Sequence, residues 1–199
     1  MTQNTTLRQL VGLGDQPARL ADSTLIMIDY QNTYTRGVME LEGAQPALDH
    51  AAELLDRARS AGIPILHIAH DSGPGSYYDV QAEIGQIVDR VAPRADEPVI
   101  VKHFPNSFTG TDLDQRLRAA PGRDLILAGF MTHMCVNSTA RGAYSLGYRP
   151  AVVAAATATR ALPGPDGLPI PASVLHAASL AAISDLFGVV VPTADVIPD

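Results

Sequence analysis

The sequence predicts a three-layer α/β fold, with a six-stranded parallel sheet between helices. Three observations carry that expectation. Short runs such as Leu25-Ile26-Met27-Ile28 are apolar on both faces, as central parallel strands are. Between them lie segments whose apolar residues repeat at helical spacing. The two kinds alternate along the chain, the pattern of a parallel sheet with right-handed crossovers.

In order, residues 1–22 read as a leader segment, with a short helix at Arg8-Gln9-Leu10-Val11. The first strand, 24–28, ends on Asp29-Tyr30-Gln31-Asn32. A helix follows at about 46–61, from the spacing of Ala47, Leu48, Ala51, Leu54, Leu55 and Ala58, with Gly62 ending it. The second strand runs 63–69, contains His67 and ends near His70. A breaker cluster, 72–78, and a short helix or irregular stretch at 82–90 precede the third strand, 98–101, which ends on Lys102. Thr111 caps a helix over 112–119. The fourth strand, 124–128, turns through Gly129-Phe130-Met131-Thr132-His133-Met134-Cys135 into a helix closed by Gly147. Strand five is 151–154; a Pro/Gly loop spans 162–171; a helix covers 173–187; strand six is 189–191; 192–199 is a tail. The composition breaks nowhere, so 1–199 reads as one domain.

Composition narrows the function. The chain is 46% hydrophobic and 18% charged, which is globular. The net charge of −7 and the lack of a basic cluster argue against a nucleic-acid partner. One cysteine forms no internal disulfide, which fits a reducing compartment. No signal-peptide pattern and no long apolar stretch occur, so a cytoplasmic protein without membrane contact is expected.

Asp29, Lys102 and Cys135 each stand at or just past the carboxyl end of a different strand. A parallel sheet brings such ends to one edge, where ligands bind. Taken singly, each has a plain explanation. The cysteine is a small buried hydrophobe, the aspartate a cap or ion-pair partner, and the lysine a solvated surface residue. Together they are a kit for nucleophilic catalysis: a thiol, a base and a positive charge that holds the thiolate. Thr132 as helix N-cap would put Cys135 in the first helical turn, where free N–H groups favour a thiolate and an oxyanion. His133 is a competing base, but residues i and i+2 of a helix do not face each other, so it is assigned to the pocket wall. His67 reads as a core residue and His70 as an edge of the cleft. No His/Asp/Glu spacing fits a metal site, and no phosphate loop follows the first strand, so neither metal nor cofactor is expected.

These residues resemble the isochorismatase-like cysteine hydrolases over about 24–191. The resemblance rests on Ile26 to Asn32, on Val101-Lys102 with Ser107 to Leu113, and on Gly129 to Val136 with Thr139-Ala140. It implies a strand order of 3-2-1-4-5-6, a catalytic triad of Asp29, Lys102 and Cys135, and a cis peptide at Phe130-Met131. That peptide would aim the N–H groups of Met131 and Cys135 at one oxyanion. The resemblance also places Tyr34 and Phe108 in the pocket. Gln31, Phe104 and His133 are added to that pocket as neighbours of the motifs, and a homodimer or larger homo-oligomer is implied. The metal cluster of the family's nicotinamidases is missing from Ala69 to Pro74, and Ala155-Ala156 replaces the Asp-Ala of many relatives. The expectation is therefore a metal-independent hydrolase of a C–N bond in a small amide, lactam or carbamoyl compound. The alternatives are vinyl-ether hydrolysis and non-catalytic small-molecule binding on the same fold.

Overall fold

A computed structural model describes residues 5–120 and 122–199. In chain order the elements are α1 (Leu7–Leu10), β1 (Ser23–Ile28), α2 (Ala44–Ala61), β2 (Ile65–His70), β3 (Val99–Lys102), α3 (Leu113–Ala119), β4 (Asp124–Phe130), α4 (Asn137–Ser145), β5 (Arg149–Ala158), β6 (Leu162–Pro163), β7 (Pro169–Ile170), α5 (Ala172–Ser184) and β8 (Val189–Val191). The main sheet is parallel, in the order β3-β2-β1-β4-β5-β8. With β8 as its sixth strand, this is the predicted topology.

Strand alternation divides the core in two. Leu25, Met27, Ile126 and Ala128 face α2 and pack on Ala47, Leu48, Ala51, Leu54, Leu55 and Ala58. Ile26, Ile28, Leu125 and Leu127 face the other way, onto Leu113, Leu117, Val136, Ala140, Ala143, Leu180 and Ile183. Every residue of β1 is buried, because the strand is central and covered on both faces. Gly62, in the left-handed conformation, ends α2 as expected; its N–H bonds the Arg59 carbonyl at 3.2 Å.

Two expectations need correction, and a third gains detail. Strand β5 runs to Ala158, because pairing with β4 resumes at Gly129↔Thr157 after a register shift. The alanine-rich 154–158 stretch has little strand propensity of its own, so this pairing is a tertiary effect. The 162–171 loop contains the antiparallel β6–β7 pair. The 82–90 stretch resolves into two single turns, Glu83–Gly85 and Asp89–Val91. His67 is buried as predicted, with Nε2 3.0 Å from Glu97 Oε2. Among the described residues no helix is long and apolar enough to cross a membrane.

Candidate active site

Asp29 leaves β1 with φ 50, the only described non-glycine residue in the left-handed region. Its N–H donates to the Ile68 carbonyl at 3.0 Å, which pins the residue against the end of β2. On the other side of β1, Gly129 pairs with Ile28. A Cβ there would meet the Ile28 carbonyl oxygen at 2.2 Å, so only glycine lets the two backbones approach this closely. The next peptide, Phe130–Met131, is cis.

The chain then makes one wide turn, Thr132–Val136, before α4 begins. The Val136 N–H donates to the Met131 carbonyl five residues back, at 3.3 Å, the spacing of a π-type turn. Such turns recur at functional sites. The expected cap at Thr132 is not formed: Met131 occupies the cap position, and the Thr132 hydroxyl lies 3.0 Å from His176 Nδ1. Cys135 still stands in the turn that leads into the helix, with only 4% of its surface exposed.

Lys102 joins Asp29 and Cys135. Strand β2 separates β3 from β1, so Asp29 and Lys102 start nearly 10 Å apart at about 4.8 Å per strand. The lysine side chain spans that gap across the end of β2. Its Nζ lies 2.7 Å from Asp29 Oδ2, 3.4 Å from Cys135 Sγ and 3.3 Å from His70 Nδ1. The ammonium thus has three neighbours for three N–H bonds. Asp29 and Lys102 are both fully buried. Apart from the ion pair, neither Asp29 oxygen has a well-directed hydrogen-bond partner among the described residues.

The electrostatics follow from burial. Desolvation raises the Asp29 pKa above the usual carboxylate value, against the lowering effects of Lys102 and Cys135. Desolvation also pushes the Cys135 thiol well above its ordinary value; the Asp29 charge adds to this and Lys102 opposes it. Burial thus raises the proton affinity of both the Cys135 thiol and the neighbouring Asp29 carboxyl, against the thiolate-favouring effect expected of a first helical turn. Burial lowers His70 to about 4, with the Lys102 charge acting in the same direction, so its ring is neutral near pH 7.

The pocket residues divide. Tyr34 is buried, with its ring 5.8 Å from those of Phe130 and Tyr78; burial, then the charges of Asp29 and Cys135, raise its pKa well above the ordinary value. Tyr78 is half-buried and packs edge-on against His70 at 5.0 Å. His133 is half-buried, with Nδ1 2.5 Å from the Thr159 hydroxyl. Gln31 does not line a pocket. Its amide is spent on backbone, donating to the His70 and Gly85 carbonyls at 2.8 and 2.6 Å and accepting from the His70 N–H at 2.9 Å. Phe108 stacks on Tyr148 at 5.8 Å and packs against the core cluster that also holds Cys135. Phe104 is 55% exposed and stands away from both core clusters. For Gln31 and Phe104 the motif gave chain position but not side-chain direction.

Sequence reasoning gave His70 too small a part: its Nδ1 is a third neighbour of the Lys102 ammonium. One available signal also went unused. The chain has thirteen arginines and a single lysine, and that lysine is the buried Lys102. Among the described residues no group of three or more His, Cys, Asp or Glu side chains converges as a metal site.

Fold and site together define a class: three-layer α/β proteins with a carboxylate, an ammonium and a thiol gathered at the carboxyl edge of a parallel sheet. The Isochorismatase domain family matches residues 23–195, and the chain belongs to that family of hydrolases. A solved isochorismatase from Pseudomonas putida KT2440 superposes with a TM-score of 0.92 at 40% identity, covering 96% of this chain and 98% of the other. The secreted isochorismatase effector Isc1 of Verticillium dahliae is 31% identical over 96% of this chain and 99% of its own length. YddQ, an isochorismatase-family protein of Bacillus subtilis, is 36% identical over 86% and 96%. A named hydrolase and a named amidohydrolase match as well. Streptothricin hydrolase of Streptomyces noursei is 31% identical over 87% of this chain and 63% of its own length. Ureidoacrylate amidohydrolase RutB of Stutzerimonas stutzeri is 27% identical over 70% and 71%. With a secreted protein among its relatives, the cytoplasmic expectation is not established by kinship.

Proposed function

We propose that this chain hydrolyses a C–N bond in a small amide, lactam or carbamoyl compound through a thioester on Cys135. The observation that carries the reading is the position of Lys102 Nζ, at once 2.7 Å from Asp29 and 3.4 Å from Cys135 Sγ. That ammonium bridges the proposed base and nucleophile and offsets the negative charge that passes between them.

The steps use only this chain's residues and water. Asp29 takes the thiol proton as Sγ attacks the carbonyl carbon, so the attack needs no free thiolate beforehand. The tetrahedral oxyanion is held by the N–H groups of Met131 and Cys135. The C–N bond breaks, the amine leaves with the proton from Asp29, and a thioester remains. Water gives a proton to Asp29 and its oxygen to the acyl carbon. The C–S bond breaks, the acid leaves, and the proton returns to Sγ. A raised Asp29 pKa suits a group that both takes and gives a proton near neutrality. One relative, ureidoacrylate amidohydrolase, is named for amide hydrolysis of a ureido compound, which supports C–N chemistry.

Intact-mass trapping tests the scheme with a panel of amides, ureides and lactams. A substrate-derived acyl adduct on Cys135 is expected, and its absence from Cys135→Ala protein. Full turnover of any hydrolysed substrate by Cys135→Ala would defeat the thioester route.

A further inference from the structure

Gln31 is fully buried, and its amide serves the end of β2. Strand β1 turns away at Asp29, and its pairing with β2 stops at Ile28↔Ile68. Along β2 the backbone groups alternate in direction. The N–H groups of His67 and Asp71 donate toward β3, to the Pro98 and Lys102 carbonyls, so the backbone of His70 faces the side that β1 has left. Gln31 takes the place of the missing strand residue. Its Oε1 accepts the His70 N–H at 2.9 Å, and its Nε2 donates to the His70 carbonyl at 2.8 Å. Contacts of opposite sense fix which way the amide points. Nε2 also donates to the Gly85 carbonyl at 2.6 Å, and a backbone bridge joins Gln31 to Ile87.

The same His70 N–H bears on Asp29. Burial raises the Asp29 pKa, while Lys102, then Cys135, and last the His70 N–H act to lower it. That N–H is directed at Gln31 instead, and beyond the ion pair neither Asp29 oxygen has a well-directed donor among the described residues. A buried carboxylate left this way is unusual, because such groups are normally satisfied. The titratable groups around Asp29 are Lys102 of β3, Cys135 of the turn after β4, and Tyr34 and Tyr78 of the loops after β1 and β2. The neutral His70 ring touches Lys102. The backbone donor that could quiet Asp29 is thus the one that Gln31 holds.

We propose that Gln31 is a positioning residue: by claiming the His70 N–H it keeps the Asp29 carboxylate short of a donor, and so ready to take and return the Cys135 proton. Two acceptors compete for one N–H. Without the Gln31 oxygen the donor turns to Asp29 and stabilises its charged form. Asp29 then becomes a weaker base, although its contact with Lys102 is untouched. The inference rests on the reading of Asp29 as the base for Cys135.

The test follows alkylation of Cys135 by iodoacetamide against pH, read by intact mass; Cys135 is the only cysteine, so a single adduct reports it. In the unaltered protein the acid limb of the rate should lie above the ordinary carboxylate pKa of 3.8. In Gln31→Met the limb should move about one pH unit lower, the scale of one charge-assisted hydrogen bond to Asp29. Gln31→Glu keeps the acceptor and should leave the limb at or above its original place. A residue that merely holds β2 would cost stability in both variants and move neither limb. Thermal melts check folding. An unmoved limb in folded Gln31→Met overturns the proposal, as does a lowered limb in Gln31→Glu. Where Gln31→Met does not fold, a limb held in place by Gln31→Glu supports it. An acyl adduct from an amide, with the limb unmoved in Gln31→Met, would overturn the inference and leave the amidase reading standing. A lowered limb with no acyl adduct from any amide would do the reverse.

Discussion

Two buried clusters in this protein use nearly the same parts and behave oppositely. Glu97, Arg59 and His67 form one; Asp29, Lys102 and Cys135 form the other. In the first, Arg59 meets Glu97 through two bonds of 2.7 and 2.8 Å, His67 Nε2 lies 3.0 Å away, and the Arg94 N–H adds a fourth contact at 2.9 Å. These contacts outweigh burial and hold Glu97 down to about 2. In the second, Asp29 has one ion pair and no other well-directed bond, burial wins, and its pKa rises. A saturated carboxylate is locked in its charged form and serves the fold. An unsaturated one keeps an appetite for a proton.

The sharpest way to break the comparison is to remove the thiol. Cys135→Ala should lose at least ~10⁴-fold in kcat/KM, as nucleophile deletions do, while thermal melting shows a cost of about 1 kcal/mol for a small buried side chain. Asp29→Asn should cost about 10²- to 10⁴-fold in turnover, the range for a general acid–base group, and also stability, because it leaves Lys102 buried without its counter-ion. Glu97→Gln should do the opposite. We expect a loss of about 3 kcal/mol and a Tm lower by roughly 6–12 °C, with kcat/KM per folded molecule retained.

The same contrast extends to pH. Glu97 has a depressed folded pKa, so its contribution is full above its ordinary 4.5 and is lost as pH falls from there toward about 2. Acid titration of stability should show that window in the unaltered protein and lose it in Glu97→Gln. Asp29 is raised, so the acid limb of kcat/KM should lie above the ordinary carboxylate pKa of 3.8; a limb at or below that value would contradict its role as base. The smallest effect concerns His70, the neutral third neighbour of Lys102. His70→Leu should lower kcat about 10-fold by loosening the ammonium, through loss of one hydrogen bond of ~1–1.5 kcal/mol. An unchanged kcat would make His70 packing only.

The sheet was legible because strand burial on two faces writes itself into composition: Leu25 to Ile28 and Leu125 to Ala128 allow little else. The rough place of the site was legible too, since Asp29, Lys102 and Cys135 each follow a strand and parallel strands end on one edge. Other features were not. Gln31 sits in the right motif but its amide is spent on backbone carbonyls, because rotamers and neighbours set side-chain direction and sequence spacing does not. The second half of β5 was hidden in alanines that pair only because β4 lies beside them.

While the strand order followed from the family resemblance, the sequence by itself determined the alternation of strands and helices and the strand ends from which a thiol, an acid and a lysine emerge. Those are matters of period and polarity, which act locally. Only the tertiary structure decided that the lysine crosses β2 to reach both partners. It alone decided that burial raises the proton affinity of both Cys135 and Asp29. Those outcomes depend on desolvation and on contacts between residues far apart in the chain, which have no local signature.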